Sequence, residues 1–309
     1  MFPRMKPLTL SISAVERDTG LSKDTLRVWE RRYGFPTPER DAIGERAYSL
    51  DQVEKLRIVK RLMDGGHRPG RVVPMRVEEL QQLSDITVEA PRHPPATATS
   101  DLKVLMELLR SNQVDQLRRH LQHLSMVLGL QRFVAEVITP FNTLVGDSWM
   151  RGQLEIHEEH AYSEVLQIVL RGALANLPPG AALDRPRVLL TTFPNEPHSL
   201  GLLMAETLFA LEGAKCLSLG AQTPLWSMVL AAAAYKSDIL ALGFTGCMNP
   251  NQVVDGLTEL RAKLPSQVEI WVGGSAPVLL RRPVEGVHVL GGLADINGQI
   301  QRWRHGAVD

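Results

Sequence analysis

The stretch Glu196-Pro197-His198-Ser199-Leu200-Gly201 carries the residue types best able to do chemistry. It follows the apolar run Val188-Leu189-Leu190-Thr191-Thr192-Phe193, which reads as a buried parallel strand, and it precedes a segment of helical apolar period. Open α/β sheets bind ligands at loops leaving the carboxyl ends of their strands. An imidazole on such a loop, here His198, can ligate a metal or do acid–base chemistry. Two further loops stand at comparable places: Gly243-Phe244-Thr245 after Ile239-Leu240-Ala241-Leu242, and Gly273-Gly274 after Val268-Glu269-Ile270-Trp271-Val272. Their glycines let a bulky ligand approach the backbone.

The elements that must position these residues alternate through the carboxyl-terminal third. Strands are expected near 187–193, 214–218, 239–244, 268–272 and 287–290, with helices between them. That pattern is a doubly wound parallel sheet, Rossmann-like and flavodoxin-like, whose switch point lies beside the ends of the first and third strands. His198 and Gly243 sit at those two ends. Residues 186–305 resemble the cobalamin-binding module of methionine synthase and related mutases. Its pattern is Asp-x-His-x-x-Gly, then Ser-x-(Leu, Val or Thr), then Gly-Gly at matching intervals. The resemblance implies that His198 is the lower axial ligand of cobalt, with Glu196 and Gly201 in the same motif. It also implies that Gly243, Thr245, Gly273 and Gly274 line the slot for the nucleotide tail. Two residues depart from it. Glu196 stands where Asp is usual, and can still orient the His198 ring. Gly243 stands where Ser is usual, so a tail-side hydrogen bond is missing unless Thr245 supplies it.

A formal net charge of zero over 309 residues conceals an asymmetry. Residues 1–76 hold 16 Lys/Arg against 10 Asp/Glu, and the remainder holds 18 against 24. A basic head on an acidic body points to nucleic acid as the partner of the head. Leu10 to Asp18 reads as a short helix with Ile12, Val15 and the aliphatic part of Arg17 available for packing; Thr19-Gly20 stops it and Ser22 caps the next. In that second helix Leu26, Trp29 and Tyr33 share one face, while Lys23, Arg27 and Arg31 share another. This is the helix-turn-helix pattern. Gly44 to Ser49 reads as a wing, and Ser49 or Asp51 caps a helix with Val53, Leu56, Ile58 and Leu62 inward. The run from Thr25 to Gly34, the wing Arg46-x-Tyr48-Ser49 and the following helix resemble the DNA-binding domain of the MerR family, which binds operators as dimers. By match, Lys23, Thr25, Arg27, Arg31, Arg32, Tyr33, Arg46 and Tyr48 are the expected contacts to double-stranded operator DNA. The family's thiolate metal sensors carry cysteines beyond this domain; this chain has none there, which excludes that class.

The head is expected to span 1–83 and a Pro/Thr/Ala-rich linker 84–100. Helical patterns from 101 and at about 113–128, 130–150 and 154–176 predict a four-helix bundle over 101–180. Trp149 ends the third helix, and Glu159-His160 lies early in the fourth. A bundle directly before a cobalamin module resembles the cap over the upper corrin face. Trp149 followed after nine residues by Glu159-His160 resembles the adenosylcobalamin-dependent light-sensing regulators of the CarH/LitR type. There the Trp packs on the 5′-deoxyadenosyl group and the Glu-His pair helps to hold it. Some members also carry a His after the Trp that takes cobalt once the adenosyl group has left; here that position is Met150.

No apolar run approaches the ~20 residues of a membrane span, and the start from Met1 to Pro7 lacks the apolar core of a signal peptide. Cys216 and Cys247 form no close-spaced pair, and Cys216 reads as a small core residue of a strand. A reduced, cytoplasmic setting is the expectation. The resemblance implies a non-enzymatic regulator, a repressor, with adenosylcobalamin as chromophore. It also implies a homo-oligomer, dimer or tetramer, whose multivalent grip on DNA would be released by light. Two alternatives stand beside it. One is a cobalamin-dependent mutase or methyl carrier, which would need a substrate barrel absent from the chain. The other is a MerR-type factor whose sensor has lost cobalamin or takes another ligand or a protein partner.

Overall fold

The computed structural model describes residues 9–41, 43–64, 67–87, 96–177 and 185–306. They fall into two compact units: Met1–Ala90 with Asp147–Gln153, and Pro91–Gly146 with Leu154–Asp309.

In the first unit β1 (Thr9–Ser11) leads into α1 (Ile12–Thr19) and α2 (Lys23–Tyr33). Ser11 and Ser22 cap the two helices, their hydroxyls accepting from the amides of Ala14 and Thr25 at 3.3 and 3.1 Å. Gly20 and Gly34 end the helices in the left-handed conformation. The wing pairs β2 (Glu39–Arg40) with β3 (Arg46–Ser49), and β1 adds to the other edge of β3. The helix expected from Leu10 therefore starts two residues later: Thr9, Leu10 and Ser11 are drawn into strand pairing with Ser49, Tyr48 and Ala47. Arg17 is exposed, so its stem adds nothing to the core. α3 (Leu50–Asp64), α4 (Pro69–Val72) and α5 (Val77–Thr87) complete the unit. Leu26, Trp29, Tyr48, Val53, Leu56, Val59 and Leu62 form its core.

α5 continues to Thr87 and α6 (Ala96–Arg110) begins four residues before Ser100, so helices enter the 84–100 stretch at both ends; 88–95 lie outside the described residues. α7 (Val114–Leu128) follows, then a long helix built from α8 (Leu130–Arg132), a π-helical stretch (Phe133–Ile138) and α9 (Thr139–Met150), and lastly α10 (Ile156–Ala175). The π stretch shifts the register within one helix, and Phe133, Val134, Val137, Ile138 and Phe141 all turn inward. Glu155 and Glu158 close a reciprocal capping box at the start of α10.

The sheet that follows is parallel throughout, as its near-continuous apolar strands require when both faces are covered. β4 (Arg187–Thr192), α11 (Leu200–Leu211), β5 (Lys215–Ser218), α12 (Leu225–Ala234), β6 (Ile239–Phe244), α13 (Pro250–Lys263), β7 (Glu269–Gly274), α14 (Val278–Arg281), β8 (Val287–Val289) and α15 (Asp295–Gly306) succeed one another. The strand order β5-β4-β6-β7-β8 is the flavodoxin-like order expected, with the switch point between β4 and β6. Cys216, in β5, is half-buried, and burial pushes its thiol up to about 12. No helix among the described residues is long and apolar enough to cross a membrane.

The register pairs Gly243 with Gly273 and Phe244 with Gly274. Gly274 has φ +117°, and a Cβ there would stand 2.0 Å from the carbonyl oxygen of Phe244. At Gly273 a Cβ would meet the Leu290 Cβ at 3.8 Å, an ordinary contact. Gly274→Ala should therefore destabilise the sheet by about 2 kcal/mol or more, and Gly273→Ala by less than about 1 kcal/mol. Urea unfolding of the two variants beside the unmodified chain checks the contrast, and equal midpoints would refute it.

Candidate functional site

The site is built on the loop from β4 to α11. Asn195 takes the left-handed conformation, which asparagine tolerates, and the Glu196 amide returns to the Phe193 carbonyl at 3.0 Å. This turn drives the Glu196 side chain inward until it is fully buried. A buried carboxylate needs donors, and the neighbouring loop from β6 to α13 supplies them. Thr245 donates its amide to Glu196 Oε2 at 2.7 Å and its hydroxyl at 2.9 Å. From its own loop His198 brings Nδ1 to 2.7 Å of Oε1. Phe193 and Phe244 hold the two strand ends together with ring centroids 4.8 Å apart, edge to face.

A carboxylate only accepts, so Nδ1 carries the proton and the Nε2 lone pair of neutral His198 faces away from Glu196. The His198 side chain is 54% exposed, while the Glu196 side chain has no exposure at all. Burial alone would raise the Glu196 carboxyl; hydrogen bonds from His198 and Thr245 outweigh it and hold the group below its ordinary value. Hydrogen bonding to Cys247 and to Glu196 raises the His198 imidazole to about 10, the Glu196 contact being the shorter. An anchored imidazole with its second nitrogen turned outward is the arrangement of a metal ligand steadied by a carboxylate.

Cys247 is the member that sequence reasoning missed. Its sulfur lies 3.4 Å from both Glu196 oxygens, and the Thr245 hydroxyl lies 3.2 Å from it. Glu196, His198 and Cys247 form the group of potential metal donors found among the described residues. The available signal was the spacing of Cys247 two residues beyond Thr245, on the loop that must fold back over Glu196. Thr245 gives both its amide and its hydroxyl to Glu196.

Gly201 lies in the first turn of α11, and a Cβ there would meet nothing within 4 Å. A Cβ at Gly243 would meet Leu202 and Thr192 at 3.8 Å, which leaves room for a small side chain. Gly274 is required by the strand geometry itself. On α10, Glu159 accepts from the Ser163 hydroxyl at 2.6 Å and lies 3.1 Å from His160 Nδ1. The His160 side chain is exposed. Trp149 is half-buried in the last turn of α9, in the first unit, and the Met150 side chain lies outside the described residues.

On the basic head the structure divides the expected DNA contacts. Arg27 is exposed beside Asp24, and Lys23 reaches Glu16 at 3.7 Å. Arg31 and Arg32 are exposed and form no ion pair among the described residues, Arg32 lying over the half-buried Tyr33 ring. The Thr25 hydroxyl bonds the Ser22 hydroxyl at 2.8 Å. Arg46 is fixed to Glu30 of α2 at 2.8 Å, which locks wing to helix. Tyr48 must be withdrawn as a contact. It is fully buried in the core of the unit, its hydroxyl without a partner among the described residues, because β3 turns it inward opposite Leu10. Arg40, exposed on the wing and donating to the Gly44 carbonyl, is a basic residue that sequence reasoning passed over.

Comparison with known proteins agrees with both halves. Residues 10–73 match the MerR HTH family regulatory protein model. The HTH-type transcriptional repressor CarH of Myxococcus xanthus is 30% identical over 281 residues, 88% of this chain and 91% of the relative. The repressor CarA of the same organism is 29% identical over 269 residues, 85% and 86% of the two chains. The solved Methanosarcina barkeri monomethylamine corrinoid protein superposes with TM-score 0.53 over 66% of this chain and 99% of that one. At 14% identity it shows a shared fold. With identity to CarH sustained over nearly the whole of both chains, this chain belongs to the family of HTH-type transcriptional repressors with a MerR-type DNA-binding domain.

Proposed function

We propose that the chain is an operator-binding repressor, not an enzyme, working in a reduced cytoplasmic setting, with adenosylcobalamin as its light-sensing cofactor and His198 as the lower axial ligand of cobalt. The observation that carries this reading is the outward-facing His198 imidazole anchored by buried Glu196 at the ends of β4 and β6. The site fits the group. The donor is a single nitrogen base, and at Gly201, Gly243 and Gly273 a Cβ would meet nothing closer than 3.8 Å. When bound, adenosylcobalamin supplies a cobalt–carbon bond that visible light breaks.

This chain's residues do the rest. Glu196 keeps the Nδ1 proton and sets the ring plane, while Thr245 and Cys247 hold Glu196. Trp149, Glu159 and His160 are assigned to the upper side, Trp149 by packing and the Glu-His pair by hydrogen bonding. Gly243, Thr245, Gly273 and Gly274 are assigned to the tail side, Thr245 there through its hold on Glu196. Met150 offers no imidazole to the upper side after illumination. Domains over 1–83, 101–180 and 186–305, joined through 84–100, are assigned to DNA reading, cap and cofactor. Subunits associate in the dark, multivalency tightens operator binding, and illumination loosens the assembly and releases DNA. A sensor that has lost cobalamin is the second reading, favoured by the absence of a tail-side hydroxyl at Gly243.

Protein reconstituted with adenosylcobalamin in darkness and desalted should stay red and change its absorption spectrum under green light. His198→Ala should lose the spectral features of imidazole ligation, and Glu196→Gln should retain the cofactor about 10- to 100-fold less tightly. Loss of all corrin from the unmodified chain on desalting would refute the reading in favour of the second. Gly243→Ser should slow cofactor release, because a Cβ fits there at ordinary contact distance; an unchanged or faster release rate refutes this. On operator-length DNA, Arg31→Ala and Arg32→Ala should each lower the slope of log affinity against log salt by about 1. Tyr48→Phe should leave that slope unaltered, and a fall comparable to that of the arginine variants would restore Tyr48 as a contact.

A further inference from the structure

Arg61 is a charged residue of α3 that is only 6% exposed. The DNA-reading face does not account for it, since the contacts assigned there come from α2 and the wing. Its guanidinium points to the turn that ends α9. Nη1 donates to the Trp149 carbonyl at 3.0 Å, and Cζ lies 5.7 Å from the centre of the Trp149 ring. Glu54, two turns earlier on α3, stands 3.6 Å from Nη2 and balances part of the charge.

The chain is shaped to receive this contact. The amides of Gly152 and Gln153 fold back to the carbonyls of Trp149 and Ser148 at 3.0 and 2.8 Å. Gly152 takes φ +70°, and a Cβ there would stand 2.8 Å from Arg61 Nη1, so the guanidinium occupies the space that a side chain would fill. The last carbonyls of a helix lack partners within it and lie at the negative end of its dipole. Arg61 therefore caps α9 from a position 88 residues earlier in the chain. The capped turn, Asp147–Gln153, packs with the head, while α9 up to Gly146 belongs to the other unit.

We propose that Arg61 is the positioning residue that ties Trp149 to α3 of the DNA-binding head, so that the state of the cofactor site reaches the head through this one turn. The proposal rests on the functional reading above, in which Trp149 serves the upper side of the cofactor. A single side chain thereby holds both the ring and the main chain of the residue assigned to sense the adenosyl group. Displacement of Trp149 strains the α3 contact, and displacement of α3 strains Trp149, which makes the coupling reciprocal.

The test uses the full-length protein, its operator DNA and adenosylcobalamin. Arg61→Gln removes the fork and the charge, Arg61→Lys keeps the charge without the planar stack, and Gly152→Ala fills the space of the guanidinium. Retention of the cofactor and its dark spectrum should stay within about twofold of the unmodified chain. The ratio of DNA affinities in darkness and after illumination should fall toward one in Arg61→Gln and Gly152→Ala, from an allosteric range of about 5- to 150-fold. Arg61→Lys should recover part of it. A merely structural role would lower the unfolding midpoint and leave the ratio of the folded protein intact, and that result overturns the proposal.

Hydrogen exchange on the unmodified protein provides a check that needs no variant. Amides of Asp147–Gln153 and of α3 should change protection together on illumination; a change in the first alone overturns the coupling. If the unmodified chain binds corrin and DNA but its DNA affinity ignores light, the functional reading itself falls and the coupling with it.

Discussion

A carboxylate with no exposure to water is the constraint on which the site depends. An ion taken out of water without partners costs several kcal/mol, so Glu196 can sit beneath the strand ends only if donors surround it. The Thr245 amide and hydroxyl and the His198 imidazole meet that requirement, and they come from two different loops. The same bonds that make the buried charge tolerable also join the β4 and β6 ends and fix the plane of the imidazole. Rigidity of the site and satisfaction of the charge are one arrangement. From the Asn195 turn the Glu196 carboxylate reaches donors on both loops.

In the head an ion pair plays a comparable part at the surface. Arg46 on the wing and Glu30 on α2 hold these two elements together. Arg46 contributes to this fixed geometry, while Arg31 and Arg32 are exposed. β1 closes the wing sheet against β3 and helps to bury the Tyr48 ring.

Much of this was legible in the sequence, and the physical reasons differ by element. Buried parallel strands must be apolar on both faces, so the runs at Val188, Ile239 and Ile270 announced the sheet, and the loop position of His198 followed from strand order; Gly243, expected on a loop, instead lies within β6 paired with Gly273. Helix ends were legible through Ser22, Gly20 and Gly34, whose side chains or backbone freedom satisfy end groups. β1 was hidden because three residues, two of them polar, show no period of their own. Tyr48 was read as a contact from its family position, whereas the alternation of a strand against Leu10 decides its direction. Cys247 and the commitment of Thr245 depend on how one loop folds over a buried acid. The contact of Arg61 with Trp149 spans 88 residues and leaves no local trace.

Gly274 carries a consequence for anyone comparing sequences of this kind. Its glycine is demanded by a carbonyl oxygen of the adjacent strand, whether or not anything binds nearby. Among relatives, a glycine retained at that column is therefore a signature of the sheet and carries no information about ligand. Gly273 and Gly243, by contrast, stand where the backbone would admit a side chain. A Gly-Gly pair scored as one motif mixes a question of architecture with a question of chemistry.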